Sequence, residues 1–192
     1  KIKGRGRKTW VNVSGTACAQ KLSAVKSKAA LVHDIINDNN IDILALQETW
    51  LPPDTHPAIK LDTAPPGFVV SHVHRQRVAG GPTRGGGLAL VYRDYYKVRP
   101  LDLHYQPTTF ELQSLVISSV NPPILVVNIY QPHSPPPSGF YDELSELLSS
   151  AVVESTARLV LCADLNCPGP DSWSVNSLLD DVLVSCGLQQ HV

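Results

Sequence analysis

Ile41-Asp42-Ile43-Leu44-Ala45-Leu46-Gln47-Glu48-Thr49-Trp50 is a short apolar run that ends on a carboxamide and a carboxylate. Asp42 is the one polar residue inside the run, and its length suits a strand buried on both faces. Two later stretches repeat the design. Ile124–Val127 runs into Asn128-Ile129-Tyr130, and Arg158–Ala163 runs into Asp164-Leu165-Asn166. A buried strand has little reason to finish on such residues unless its end faces a cleft, and sites in layered α/β folds gather at strand ends. Taken singly, Glu48, Asp164 and Asn166 read most simply as loop starts; the recurrence marks a site. Their oxygens are hard donors, suited to Mg²⁺ or Mn²⁺ with few protein ligands and several waters.

The segments around these runs alternate. Thr9–Ser14 reads as a first strand. Val25, Ala29, Val32 and Ile36 recur at helical spacing, and Asn39-Asn40 can close that helix. Phe68–Val73 and Gly87–Tyr92 read as strands around a Gly- and Arg-containing loop, followed by Val98–His104, Leu112–Val120 and Ile124–Tyr130. Phe140, Leu144, Leu147 and Leu148 predict a helix with Ser138 as N-cap and Asp142 and Glu143 near its start. Arg158–Ala163 is another strand. Val175, Leu178, Leu179, Leu183 and Val184 predict a last helix ending near Gly187. Strands are many, helices few, and the central strands neighbour one another as hairpins do. This argues against a simple doubly wound parallel sheet and for two packed sheets with helices outside.

Composition sets the outer bounds. A chain of 192 residues suits one domain, and 43% apolar against 17% charged residues excludes wholesale disorder. No apolar run approaches the roughly 18 residues of a membrane-spanning helix, and no apolar h-region follows the basic residues Lys1 to Lys8. Those first eight residues hold five of the 16 basic groups and none of the 17 acidic ones. The remainder is mildly acidic, so a uniformly basic nucleic-acid binder is not indicated, and residues 1–8 read as a solvated, disordered basic leader. Cys18, Cys162, Cys167 and Cys186 form no C-x-x-C pair. They read as reduced core or loop thiols, which fits a nuclear or cytoplasmic chain. Methionine is absent and the chain starts at Lys1, which reads as a fragment or a broken reading frame.

Four stretches together resemble the endonuclease/exonuclease/phosphatase superfamily, and within it the apurinic-like endonuclease domain of LINE-type (non-LTR) retrotransposon polyproteins. They are Asp42–Leu51, Arg84-Gly85-Gly86-Gly87-Leu88-Ala89-Leu90, Val127-Asn128-Ile129-Tyr130-Gln131-Pro132 and Leu161-Cys162-Ala163-Asp164-Leu165-Asn166, in family order. The resemblance covers roughly residues 9–192. It implies an α/β four-layer sandwich of two packed mixed β-sheets flanked by helices. Glu48 matches the glutamate that binds the divalent metal, and Asn12 resembles the N-terminal asparagine near it. Tyr130 matches the tyrosine at the scissile phosphate, Asp164 the aspartate that orients or deprotonates the attacking water, and Asn166 the asparagine that holds that aspartate and a phosphate oxygen. Physical chemistry agrees with these roles, because phosphodiester cleavage builds negative charge that a cation and amide donors stabilise.

Around this core, Arg84 is a candidate for phosphate binding beside a glycine turn, and Arg75 and Arg77 are weaker candidates for DNA contact. His72 and His74 share a strand face and read as a half-exposed pair rather than metal ligands. Glu111 reads as a polar strand residue, at a position where the resemblance often implies a carboxylate.

The resemblance implies a DNA endonuclease that uses Mg²⁺ or Mn²⁺ to nick target DNA for priming reverse transcription. Its partners would be DNA and a downstream reverse transcriptase domain in an intact parent protein, with no membrane. The alternatives are a catalytically dead relic and another superfamily phosphatase activity. The family's terminal Asp-His motif finds no counterpart before Val192, and His191 is not assigned that role. The expectation is therefore a domain over 9–192 that lacks its final strands and is poorly soluble and nearly inactive as given.

Overall fold

The structure is a computed structural model that describes residues 11–13, 15–21, 28–75, 85–154, 156–168 and 176–189; for 11–13, 15–19, 21 and 152–154 it describes the backbone alone. The basic leader, Arg77, Arg84, Val175 and His191 lie outside the described residues, as does the side chain of Asn12. In chain order the elements are β1 (Val11–Val13), β2 (Gly15–Lys21), α1 (Ala29–Asp38), β3 (Ile41–Gln47), α2 (Pro57–Leu61), β4 (Phe68–Val73), β5 (Leu88–Arg93) and β6 (Val98–Pro100). They continue with β7 (Glu111–Ile117), β8 (Ile124–Tyr130), α3 (Phe140–Glu154), β9 (Arg158–Asp164) and α4 (Ser177–Ser185).

Two mixed sheets result. One runs β1-β2-β3-β5-β4 and the other β6-β7-β8-β9. Parallel pairs β2–β3 and β8–β9 sit within otherwise antiparallel neighbours. The alternation of side chains along each strand assigns two faces. Ile43, Ala45 and Leu90 meet Leu115, Ile117, Ile124, Val126 and Val160 between the sheets. Leu44, Leu46, Ala89 and Val91 turn the other way, onto Val32 and Ile36 of α1. Val116, Leu125, Val127 and Ile129 face outward from the second sheet onto Phe140, Leu144, Leu147 and Leu148 of α3 and Leu179 and Leu183 of α4. The layers are helix, sheet, sheet, helix, as the strand-rich pattern requires.

Several boundaries differ from the sequence pattern. A strand over Val98–His104 stops at Pro100, because Leu103, Tyr105 and Phe110 instead pack against the α3 layer. The strand over Leu112–Val120 begins at Glu111 and ends at Ile117, before the turn into Pro122. α1 begins at Ala29, and Asn39 closes it as its C-cap. The residue at the head of α3 is Gly139 and not Ser138. Its φ of 88° suits glycine, and its carbonyl accepts the Glu143 N–H at 2.9 Å. Asp142 and Glu143 do occupy the first turn of α3. Asn176 caps α4 by accepting from Leu178 N and Leu179 N.

Candidate active site

Cross-strand register builds the site. Glu111 of β7 pairs with Tyr130 of β8, and Tyr130 pairs with Asp164 of β9. Residues directly opposite share a face, so these three side chains form a row across the end of one sheet. One step inward lie Gln113, Asn128 and Cys162, and beyond them the apolar residues between the sheets. The inner face therefore passes from hydrocarbon through carboxamide to carboxylate as it approaches its open end.

The facing sheet contributes Glu48. β3 ends at Gln47, and Glu48 turns into the left-handed region at φ 59°, as does Trp50 at 55°. Such conformations are uncommon for side chains of this size and cost of order 1–3 kcal/mol each. The glycine run holds them in place. Thr49 N–H donates to the Gly87 carbonyl at 3.1 Å and Trp50 N–H to the Gly86 carbonyl at 2.9 Å. Gly86 and Gly87 are themselves left-handed. A β-carbon at Gly87 would lie 2.6 Å from Thr49 Oγ1, and one at Gly86 would strike the Arg75 and Glu111 side chains. The turn and the loop can meet this closely because both positions are glycine.

So placed, the Glu48 carboxylate accepts a hydrogen bond from the Tyr130 hydroxyl. Burial raises the Tyr130 pKa, and the bond to Glu48 and the charges of Glu48 and Asp164 raise it further, with Arg75 opposing. The phenol stays protonated at neutral pH and remains a donor. Asn166 also has a left-handed backbone, at φ 47°. One of its amide hydrogens goes to the Gln131 carbonyl at 2.6 Å, leaving the other hydrogen and Oδ1 for Asp164 or a ligand. Gln131 N–H in turn donates to the Asp164 carbonyl at 2.9 Å.

Beneath the row runs a buried amide network. Gln47 Nε2 donates to Asn128 Oδ1 at 2.7 Å. Asn128 Nδ2 donates to Gln113 Oε1 at 3.3 Å and to the carbonyls of Leu46 and Ala89. Gln113 Nε2 reaches the Ser71 carbonyl at 2.9 Å. These bonds tie β3, β5 and β4 to β7 and β8.

The structure thus brings together Glu48, Tyr130 and Asp164 from three distant stretches, with Asn166 beside them. Asn12 is not brought to this site: in β1 it pairs with Thr16 of β2, which pairs with Ile41 at the far end of β3 from Glu48. Sequence reasoning missed Glu111 as more than a polar strand residue. Its carboxylate accepts from Arg75 Nε at 2.5 Å and from Gly87 N–H at 2.6 Å, so it anchors the glycine loop. Arg75, expected to face DNA, is engaged with Glu111. Gln47, Gln113, Asn128 and Gln131 were also missed, although the carboxamide at each strand end was a visible signal.

His72 and His74 do share a face. His72 Nε2 bonds the Lys60 carbonyl at 3.2 Å, while His74 bonds Lys60 Nζ at 3.2 Å and the Leu51 carbonyl at 2.8 Å. Among the described residues no group of three or more His, Cys, Asp or Glu side chains is clustered to hold a metal ion. Mg²⁺ needs no such cluster, since one or two carboxylates and several waters suffice. Glu48, beside Tyr130 and facing Asp164 across it, is an all-oxygen donor set that fits a hard cation. Cys162 and Cys167 are buried, and Cys186 is partly buried. No described helix is long and apolar enough to cross a membrane.

Comparison with known proteins agrees with this architecture. The profile of the Endonuclease/Exonuclease/phosphatase family matches residues 10–185. Among solved structures, the chain is similar to the 3′ phosphatase NExo from Neisseria bound to product DNA hairpin, at 20% identity and TM-score 0.60. That match covers 88% of this chain and 70% of the other. The endonuclease domain of TRAS1, a telomere-specific non-LTR retrotransposon, matches at 14% identity and TM-score 0.56, covering 89% and 70%. The AP endonuclease LMAP from Leishmania major matches at 14% identity and TM-score 0.60, covering 78% and 54%. The chain therefore spans between 54% and 70% of the length of these structures. No curated protein matches it in sequence.

Proposed function

The chain belongs to the endonuclease/exonuclease/phosphatase family, and from that premise we propose that it carries the site of a divalent-metal-dependent phosphodiester hydrolase acting on DNA. The observation that carries the reading is the Tyr130 hydroxyl seated on the Glu48 carboxylate, with Asp164 as the cross-strand partner of Tyr130. Fold likeness does not choose a substrate. The likeness of Asp42–Leu51 and of the Tyr130 stretch to retroelement endonucleases supports DNA nicking that exposes a 3′-hydroxyl for a downstream reverse transcriptase domain. We propose that it works in the nucleus or cytoplasm, in keeping with the absence of a C-x-x-C pair among its four cysteines.

Glu48 would hold the cation, Mg²⁺ or Mn²⁺. When bound, that ion supplies Lewis-acid stabilisation of negative charge on the phosphate oxygens. The protein's own groups do the rest. Tyr130, kept protonated, would turn its single donor hydrogen from Glu48 to a non-bridging phosphate oxygen once Glu48 holds the cation. Asp164 orients the attacking water and takes its proton. Asn166 offers its remaining amide hydrogen without adding charge. Arg84, which precedes the glycine run in sequence, would be a further phosphate contact.

The test is nicking of supercoiled plasmid by the full-length protein that carries this chain, with Mg²⁺ present. Glu48→Gln and Asp164→Asn should each reduce the rate by about 10²-fold or more. DNA binding without nicking by the unaltered protein would make the domain a relic. Hydrolysis of a small soluble phosphate ester, with DNA untouched, would make it a phosphatase.

A further inference from the structure

We infer that Trp50 is a stacking platform for a nucleobase next to the phosphate bound at Tyr130, an inference that rests on the DNA-directed reading above and deepens it. Trp50 lies two residues beyond Glu48 and is 43% exposed, whereas its neighbours Thr49 and Leu51 are 1% and 5% exposed. A bulky apolar side chain between two buried ones has been turned outward. The turn is not slack, because Trp50 sits in the left-handed region at φ 55° and its N–H is tied to the Gly86 carbonyl at 2.9 Å. A large aromatic residue is an unfavourable choice for that conformation, where glycine or asparagine would fit without strain. The indole joins none of the three apolar clusters.

Its surroundings suit a nucleic-acid strand. The position of a β-carbon on Gly85 lies 3.7 Å from Trp50 Nε1 and 3.7 Å from Arg75 Nη1. The indole and a guanidinium therefore flank one glycine, with no side chain between them. Arg75 is held there by its ion pair with Glu111. The exposed indole lies beside the side-chain-free Gly85, open to a base. Base stacking on an aromatic side chain is sequence-tolerant, because every base has a π-face.

The test measures equilibrium binding of a labelled single-stranded oligonucleotide by the full-length protein, in parallel with nicking. Trp50→Leu removes the ring and keeps the bulk, and Trp50→Phe keeps a ring. Trp50→Leu should weaken binding by roughly ten- to a hundred-fold, and Trp50→Phe by much less. An abasic residue at the stacked position should weaken the unaltered protein and leave Trp50→Leu unchanged. Equal affinity of all three proteins would overturn the stacking role while leaving the hydrolase reading intact. Equal weakening by Leu and Phe, with no dependence on the abasic position, would reduce Trp50 to a packing residue. Absence of DNA binding by every form would overturn both readings. Matched thermal melts confirm that each variant is folded.

Discussion

Gly87 shows how one atom can govern the site. It is left-handed at φ 85°, and an added methyl would lie 2.6 Å from Thr49 Oγ1. The Gly87 carbonyl also holds Thr49 N–H, and the Gly87 N–H is held by Glu111. Gly87→Ala should therefore cost about 2–4 kcal/mol from backbone strain and displacement of Thr49, read as a lower urea midpoint with an unchanged slope. Gly85→Ala meets no atom closer than 3.7 Å, so only its left-handed backbone opposes it and the loss should be smaller. Glu48, Asp164 and Asn166 stand out in the sequence because a polar residue closing an apolar strand is conspicuous, and Tyr130 stands out through the family resemblance. Glu111 was not legible. Its importance lies in its partners, Arg75 and Gly87, which no local pattern around residue 111 reveals.

Between elements, short polar ties decide what periodicity cannot. α2 has five residues, too few for an apolar stripe, and its sequence carried no helical signal. It is held to β4 by Lys60, whose carbonyl and Nζ meet His72 and His74. Burial lowers the His72 pKa below its ordinary value of 6.5, and the nearby His74 and Lys60 lower it further against the opposing bond to the Lys60 carbonyl. A base with a depressed folded pKa is protonated first in the unfolded chain. Stability is then fully present above about pH 6.5 and falls as the pH drops from there toward the folded value. The melting temperature should therefore decline between pH 7.5 and 5, and His72→Phe combined with His74→Gln should flatten that decline. An unchanged slope in the double variant would remove this tie from the account of α2. A second tie spans β6–β7 and α3. Glu143 accepts from the backbone N–H and the hydroxyl of both Thr108 and Thr109. Burial alone would raise its pKa, but these donors outweigh it and bring it down. That anchorage explains why 101–110 leaves the sheet after Pro100. β2 escaped sequence reading for another reason, since its small and polar residues 15–21 lack an apolar run and form a strand by pairing with β3.

At the scale of the whole molecule the buried amides join two halves that are otherwise separately built. Asn128 is fully buried at the junction of both sheets. Asn128→Leu keeps its volume but strips Gln47 Nε2 and Gln113 Oε1 of a partner, which should cost about 2–4 kcal/mol. Replacing Gln47, Gln113 and Asn128 together by leucine should cost less than the three single changes added, because the orphaned groups disappear with their partners. Urea unfolding of the four variants checks this, and simple additivity would contradict a network. The layered architecture was open to reading from the chain, since apolar runs bounded by turns and helical stripes are local properties that follow from side-chain periods of two and 3.6. The chemistry of the cleft was visible as a list of strand-end residues. Their assembly was not visible, because register decides that Glu111, Tyr130 and Asp164 stand in one row, and register depends on pairing between segments tens of residues apart. The Glu48 carboxylate meets the Tyr130 hydroxyl across 82 residues of sequence, through two sheets that must first pack. Contacts of that span belong to the folded molecule, because burial and sheet packing set them and no local run of residues contains both partners.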